Sequence, residues 1–279
     1  MSADFVLLKI MQPEISSTVH PVTLEINSGF LERKVRVDFY LPEFSSDQPI
    51  DLMLVNDGQD LVTMDFRSIL DDLVSSQQIH PILAVGIHCG EDRKNEYGML
   101  VSPDYAGRGS KAKLYEQFIF EELLPSIREN FPFNFRQKVF AGFSLGALSA
   151  FDLVWNHPEM FSAAAVFSGS FWWRSKDKID KNYNEWADRL MHRQIKNDAI
   201  RPGMRFFFEC GALDESEDRN NNGVIDSIDD TLDVIRLLVN KGYEEGRDIR
   251  YLQVQDGRHD VPTWSRAFPE FLKWQWRKQ

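Results

Sequence analysis

The 279-residue chain predicts an α/β fold: a mostly parallel central sheet with helices on both faces and an N-terminal antiparallel hairpin. Three observations predict it. Short apolar runs alternate with stretches of helical spacing from about residue 50 onward. Runs such as Asp51–Val55, Pro81–Ile87, Ala163–Phe167 and Met204–Cys210 lack polar alternation, the pattern of strands buried on both faces. Finally, Lys138–Ala147 reads as a buried strand, then Gly142-Phe143-Ser144-Leu145-Gly146, then a helix, the order of a nucleophile elbow.

Taken in order, Thr18–Asn27 and Phe30–Leu41 pair as a hairpin about Asn27-Ser28-Gly29. Val35, Val37, Phe39 and Leu41 alternate with Arg36, Asp38 and Tyr40, so one face of the second strand is expected to be buried, and Pro42 ends it. Asp51–Val55 runs into a turn, Asn56-Asp57-Gly58-Gln59-Asp60, and a helix is expected over Met64–Ser76. After Pro81–Ile87, the polar stretch His88–Gly109 is too irregular for a regular element, and loops of that length usually carry function. Lys113–Asn130 reads as one long helix, with Phe118, Leu123 and Ile127 on its apolar side. The elbow helix, Ala147–Trp155, precedes strand Ala163–Phe167 and the run Ser168–Trp173. Asn184–Lys196 is polar and helix-prone, and Met204–Cys210 is a strand ending in Gly211-Ala212-Leu213-Asp214. Leu232–Lys241 has helical spacing, Asp248–Val254 is the last strand and Val261–Trp276 the closing helix. With no repeat and no linker-like composition, residues 1–279 read as one domain carrying an acidic EF-hand-like loop at about 215–230.

A net charge of −11 with no basic cluster argues against nucleic acid or an anionic membrane as partner. Met1–Gln12 lacks the charged start, long apolar run and cleavage site of a secretory signal, and no stretch approaches a membrane span, so a cytoplasmic address is expected. Cys89 and Cys210, each at a predicted strand end, read as buried thiols rather than as a disulfide, metal site or nucleophile.

Ser144, at the tip of the elbow, faces the start of a helix, where free N–H groups favour developing negative charge. A serine needs a base. Among His20, His80, His88, His157, His192 and His259, only His259 stands on the loop after the last strand, where the order Ser, acid, His places it. Asp214, at the end of the preceding strand, is the expected acid; Glu215, Asp218 and Asp256 are its rivals, Asp256 being too close in sequence to reach around to the ring. The oxyanion donors are expected to be the Leu145 N–H and one N–H from Gly58 or Gln59. Phe171, Trp172 and Trp173 follow a strand end on the same side; Trp172 and Trp173 are expected to line a substrate pocket, with core packing as the alternative, and Trp264 carries the same ambiguity.

Asp218–Asp229 matches the EF-hand loop, with oxygen side chains at positions one, three, five, nine and twelve and Gly223 at six. Asp218, Asn220, Asn222, the Val224 carbonyl, Asp226 and Asp229 are the expected ligands of a structural calcium ion that would fix the loop carrying Asp214. A cytoplasmic address, where free calcium is scarce, works against its occupancy.

Asn56–Gln59, Arg93-Lys94-Asn95-Glu96-Tyr97, Glu122–Pro125, Gly142–Gly146 and His157–Phe161 together resemble a family of α/β-hydrolases that includes esterase D, enterochelin esterases and bacterial feruloyl and acetyl esterases. The resemblance runs from about Val19 onward and departs at Ala147, where relatives often have a third glycine. It implies the α/β-hydrolase fold and a serine carboxylic-ester hydrolase without a catalytic cofactor, with the roles of nucleophile, acid and base on Ser144, Asp214 and His259. It further implies a small-molecule or saccharide-linked substrate, such as an acetyl, feruloyl or siderophore-type ester. The other readings are an acyltransferase or thioesterase, or a calcium-binding, non-catalytic protein on the same fold. The natural acyl and alcohol groups and the oligomeric state stay open at this level.

Overall fold

Eight strands join in one sheet within the residues that the computed structural model describes, 19–43 and 49–278. They are β1 (Val19–Ser28), β2 (Arg33–Pro42), β3 (Ile50–Asn56), β4 (Ile82–Ile87), β5 (Phe135–Phe143), β6 (Ala163–Phe167), β7 (Arg205–Leu213) and β8 (Ile249–Arg258). Their spatial order is β1-β2-β4-β3-β5-β6-β7-β8. β2 is antiparallel to both β1 and β4, and every other pairing is parallel. The predicted class holds. Met1–Gln12 and Thr18 lie outside the described residues.

Alternation along the strands sorts their side chains into two apolar layers. Leu52, Leu54, Phe206 and Phe208 face one layer, roofed by the elbow helix Leu145–Asn156 and by the helices Leu190–Asn197 and Asp226–Asn240. Met53, Val55 and Phe207 face the other, roofed by helix Phe66–Ser75 and the closing helix Val261–Trp276. Because both faces are covered, strands β3, β4 and β6 are buried throughout and carry apolar residues on both sides.

Four local expectations are corrected. The hairpin turn falls at Gly29–Glu32, because Asn27 and Ser28 still pair with Lys34 and Arg33 and the Ser28 hydroxyl accepts the Leu31 N–H. The face of β2 expected to be polar is buried at two of its three positions: Tyr40 packs edge-on against Phe66, and Asp38 accepts hydrogen bonds from Thr23 and Arg36 and pairs with His88. Helix 113–130 is broken by π-helical turns over Phe118–Leu123, directly before Pro125, which has no N–H to continue the ladder. Helix Asp226–Asn240 starts earlier than Leu232, since Asp226 and Asp229 in its first turn complement the helix dipole.

Candidate active site

The sheet delivers the predicted residues to one edge, the carboxyl ends of its parallel strands. β5 ends at Phe143, and Ser144 follows with φ 54° and ψ −121°, a positive φ that a side-chain-bearing residue seldom adopts. Its N–H donates to the Phe167 carbonyl at the end of β6, and its carbonyl accepts from Ala147, Leu148 and Ser170. The backbone is thus tied on both sides while the side chain stays partly exposed. Both glycines of the motif are sterically required. A Cβ on Gly142 would overlap the Gly146 carbonyl, and one on Gly146 would overlap the Asp57 carboxylate. Ala147 is fully buried in the helix, so its methyl group is accommodated.

Leu145 is the first residue of the elbow helix, so its N–H stands among those without an intrahelical acceptor. The Asn56–Gln59 segment abuts it: the Asn56 amide donates to the Gly146 carbonyl at 2.8 Å. Gly58 and Gln59 are the first residues of a short helix, Gly58–Thr63, where the sequence had suggested only a turn. Asp57 before them takes φ 60°, ψ 48°, a left-handed conformation that Asp tolerates better than most residues. Gly58 is needed for a different reason than substrate approach, since a Cβ there would collide with the Gly86–Ile87 backbone of β4.

His259 stands just past β8, with its side chain 40% exposed. Its Nδ1 lies 3.9 Å from Oδ2 of Asp214, a charge-pairing distance longer than a hydrogen bond. Leu213 pairs with Arg258 across a register shift, which sets Asp214 beside His259 at the sheet edge. The Asp214 side chain is 1% exposed, and neither of its oxygens has a hydrogen-bond partner. The rivals are engaged elsewhere: Glu215 accepts the Ser227 N–H, Asp218 accepts from Asn222 and Gly223, and Asp256 pairs with Arg266 on the surface.

Trp264 connects His259 to the elbow. Its ring meets His259 edge-on at 5.4 Å, stacks on Phe143 at 4.9 Å, and donates its Nε1–H to Ser168 Oγ at 3.0 Å. Of the two tryptophans expected in a pocket, Trp173 is wholly buried, pressed against Gly98 and Gly109, and leaves no surface for a substrate. Trp172 is half buried beneath the Arg108 guanidinium, 4.7 Å from its ring.

In the 218–229 loop, Asn220 and Asn222 both donate their amides to Asp229 Oδ2 at 2.9 Å. The Asp218 carboxylate closes the turn, Asn222 Oδ1 accepts the Val224 N–H, and Asp226 Oδ1 is held by the Arg219 N–H and guanidinium. Among the described residues no group of three or more His, Cys, Asp or Glu side chains is arranged to hold a metal ion. Of the five expected side-chain ligands, four are satisfied by one another or by the turn, and Asp226 faces an arginine.

Residues 28–274 match the model of the Esterase family, described as "Putative esterase". The chain belongs to that family. It is 30% identical over 240 residues to the iron(III) salmochelin esterase of Escherichia coli O6:H1 (strain CFT073), a match covering 84% of this chain and 52% of that protein. The chain thus spans about half the length of this curated relative. Its fold is that of the enterobactin esterase FES from Shigella flexneri (TM-score 0.70, 23% identity, 95% of this chain and 60% of that one). It is also that of a ferulic acid esterase (TM-score 0.66, 18% identity, 92% and 97%) and of an IroE-like serine hydrolase from Shewanella oneidensis (TM-score 0.68, 19% identity, 92% and 79%). These are α/β-hydrolase-fold enzymes, and the sheet described above is theirs. No helix among the described residues is long and apolar enough to cross a membrane.

Three of the segments that carried the resemblance, Asn56–Gln59, Arg93–Tyr97 and Gly142–Gly146, meet in one cluster. Arg93 clamps Asp57 through two hydrogen bonds of 2.6 Å and reaches the Phe143 carbonyl at 3.4 Å. Tyr97 accepts the Asp57 N–H, and Tyr115 donates to Asn56 Oδ1. Glu96 meanwhile holds Arg33 bidentately. Sequence reasoning had noted Arg93–Tyr97 as a motif but could not say that it braces the wall beside the elbow.

Proposed function

We propose that this chain hydrolyses carboxylic esters with Ser144 as nucleophile, His259 as general base and Asp214 as the acid that orients the imidazole. What carries the reading is Ser144 itself, held at positive φ between β5 and its helix. The His259–Asp214 pair on the same sheet edge supports it. Ser144 Oγ attacks the ester carbonyl as His259 takes its proton, and the oxyanion is met by N–H groups of Leu145 and of Gly58 or Gln59. The imidazolium then protonates the departing alcohol. Water, deprotonated by the same ring, attacks the acyl-enzyme and releases the acid and Ser144. Membership of the esterase family supports ester hydrolysis.

Siderophore-type and sugar-linked acetyl or feruloyl esters are the substrate classes to try first, since the named relatives are siderophore and ferulic acid esterases. Acyl transfer and thioester hydrolysis would use the same side chains and are separated by adding alcohols or thioesters and identifying the product. Calcium at the 218–229 loop is proposed on its sequence pattern alone, and the whole chain is read as one domain.

The test is turnover of short p-nitrophenyl esters by the wild type and by Ser144→Ala. Loss of about 10⁴-fold or more in kcat is expected for the variant. Equal rates would remove the serine-hydrolase reading and favour a non-catalytic protein on this fold.

A further inference from the structure

Glu209 lies inside β7, fully buried, and the hydrolytic mechanism does not use it. It alternates onto the same face as Phe207 and Gly211, the face covered by the closing helix. The Asp214 carboxylate folds back over Gly211, whose Cβ it would overlap. Two residues along a strand advance about 6.6 Å, a gap that a glutamate side chain lying along the sheet can close. Three buried carboxyl oxygens here lack hydrogen-bond partners: Glu209 Oε1 and both oxygens of Asp214. As two carboxylates they are acceptors only and repel, whereas a single shared proton makes one a donor to the other.

Resting on the triad reading above, we propose that Glu209 is a positioning residue: as the neutral acid it donates its proton to Asp214 and keeps that carboxylate turned toward His259. Its surroundings favour this state. Burial first, and the Asp214 charge second, push the Glu209 carboxyl up to about 8. The other charged or titratable groups within electrostatic reach are Arg266 on the closing helix, Cys210 beside it and Tyr251 on β8. Arg266 is committed to Asp256 at the surface. The second oxygen, Oε2, is 3.5 Å from Ser168 Oγ, which accepts the Trp264 indole N–H. Glu209 is therefore linked to the same turn and the same tryptophan that flank Ser144 and His259.

The experiment is the pH dependence of kcat on a short p-nitrophenyl ester for the wild type, Glu209→Gln and Glu209→Leu, with Ser144→Ala as reference and a melting curve for each. The wild type should lose activity above about pH 8 as the shared proton leaves and the two carboxylates repel. Glu209→Gln keeps a donor that cannot ionise, so it should hold the neutral-pH rate within about two-fold and lack that alkaline fall. Glu209→Leu should lose about ten-fold at neutral pH. An alkaline fall that persists in Glu209→Gln overturns the proposal, as does a Leu variant that matches the wild type. If Glu209→Leu does not fold, the Gln profile decides alone. A Ser144→Ala enzyme that still turns over sinks the triad and this inference together. An inactive Ser144→Ala beside an unchanged Gln profile sinks only this one.

Discussion

Arg93→Met isolates what the clamp on Asp57 is worth. Methionine keeps most of the apolar stem and removes the charge. Asp57, whose side chain is 1% exposed, would lose both 2.6 Å hydrogen bonds and keep the Gln59 amide at 3.4 Å and the Cys89 thiol. Removing one partner of a buried ion pair costs about 3–5 kcal/mol, because the other charge stays desolvated. Arg93 itself is 29% exposed, so water can enter behind the shorter side chain, and the lower end of about 3 kcal/mol applies. For a chain of this size that corresponds to a fall in Tm of about 5 °C. Adding Asp57→Asn removes the stranded charge, so the double variant should be less destabilised than the sum of the two singles, by about 1–2 kcal/mol. Thermal and urea unfolding of the four proteins measure both quantities. A single variant within about 1 °C of the wild type, or strict additivity in the cycle, would refute the view that this pair is a buried, coupled brace.

Two further outcomes follow from other parts of the molecule. Asp152 is wholly buried, bound only by the Leu100 N–H and Asn156, and burial lifts its carboxyl to about 7. The folded chain thus keeps a proton that the unfolded chain releases near pH 4, so stability falls as pH rises from about 4 to 7 and levels off above. Asp152→Asn should flatten that slope, measured as the difference in Tm between pH 5 and pH 8; an unchanged difference would discount Asp152 as its source. For the 218–229 loop, calcium should raise the melting midpoint above that in chelator, and coincident curves would reject a stabilising ion there.

Much of the architecture was legible because apolar periodicity and the elbow pattern are local signals. The strained turn at Ser144 is written in its immediate neighbours, and the place of His259 beyond the last strand follows from the order of strands. What stayed hidden depends on contacts between distant segments. Asn-Asp-Gly is turn chemistry by composition, yet packing against β4 winds Gly58–Thr63 into a helix. Glu209 sits in Arg-Phe-Phe-Phe-Glu-Cys, a run so apolar that its one carboxyl drew no notice until the fold set it beside Asp214. Trp173 offered the same aromatic signal as Trp172, and only the course of residues 97–109 decides that it is core. The EF-hand spacing was equally plain, but spacing alone does not say whether Asp226 turns inward or, as here, toward Arg219.

The order of strands has a consequence for how such an enzyme is made. Ser144, the proposed nucleophile, rides on a central strand, whereas the proposed acid and base arrive with β7 and β8, which leave the ribosome after it. A nascent chain halted before residue 259 would carry the serine turn without the imidazole proposed to activate it. Synthesis itself would then time the onset of reactivity, leaving the growing polypeptide inert toward esters until strand β8 has docked.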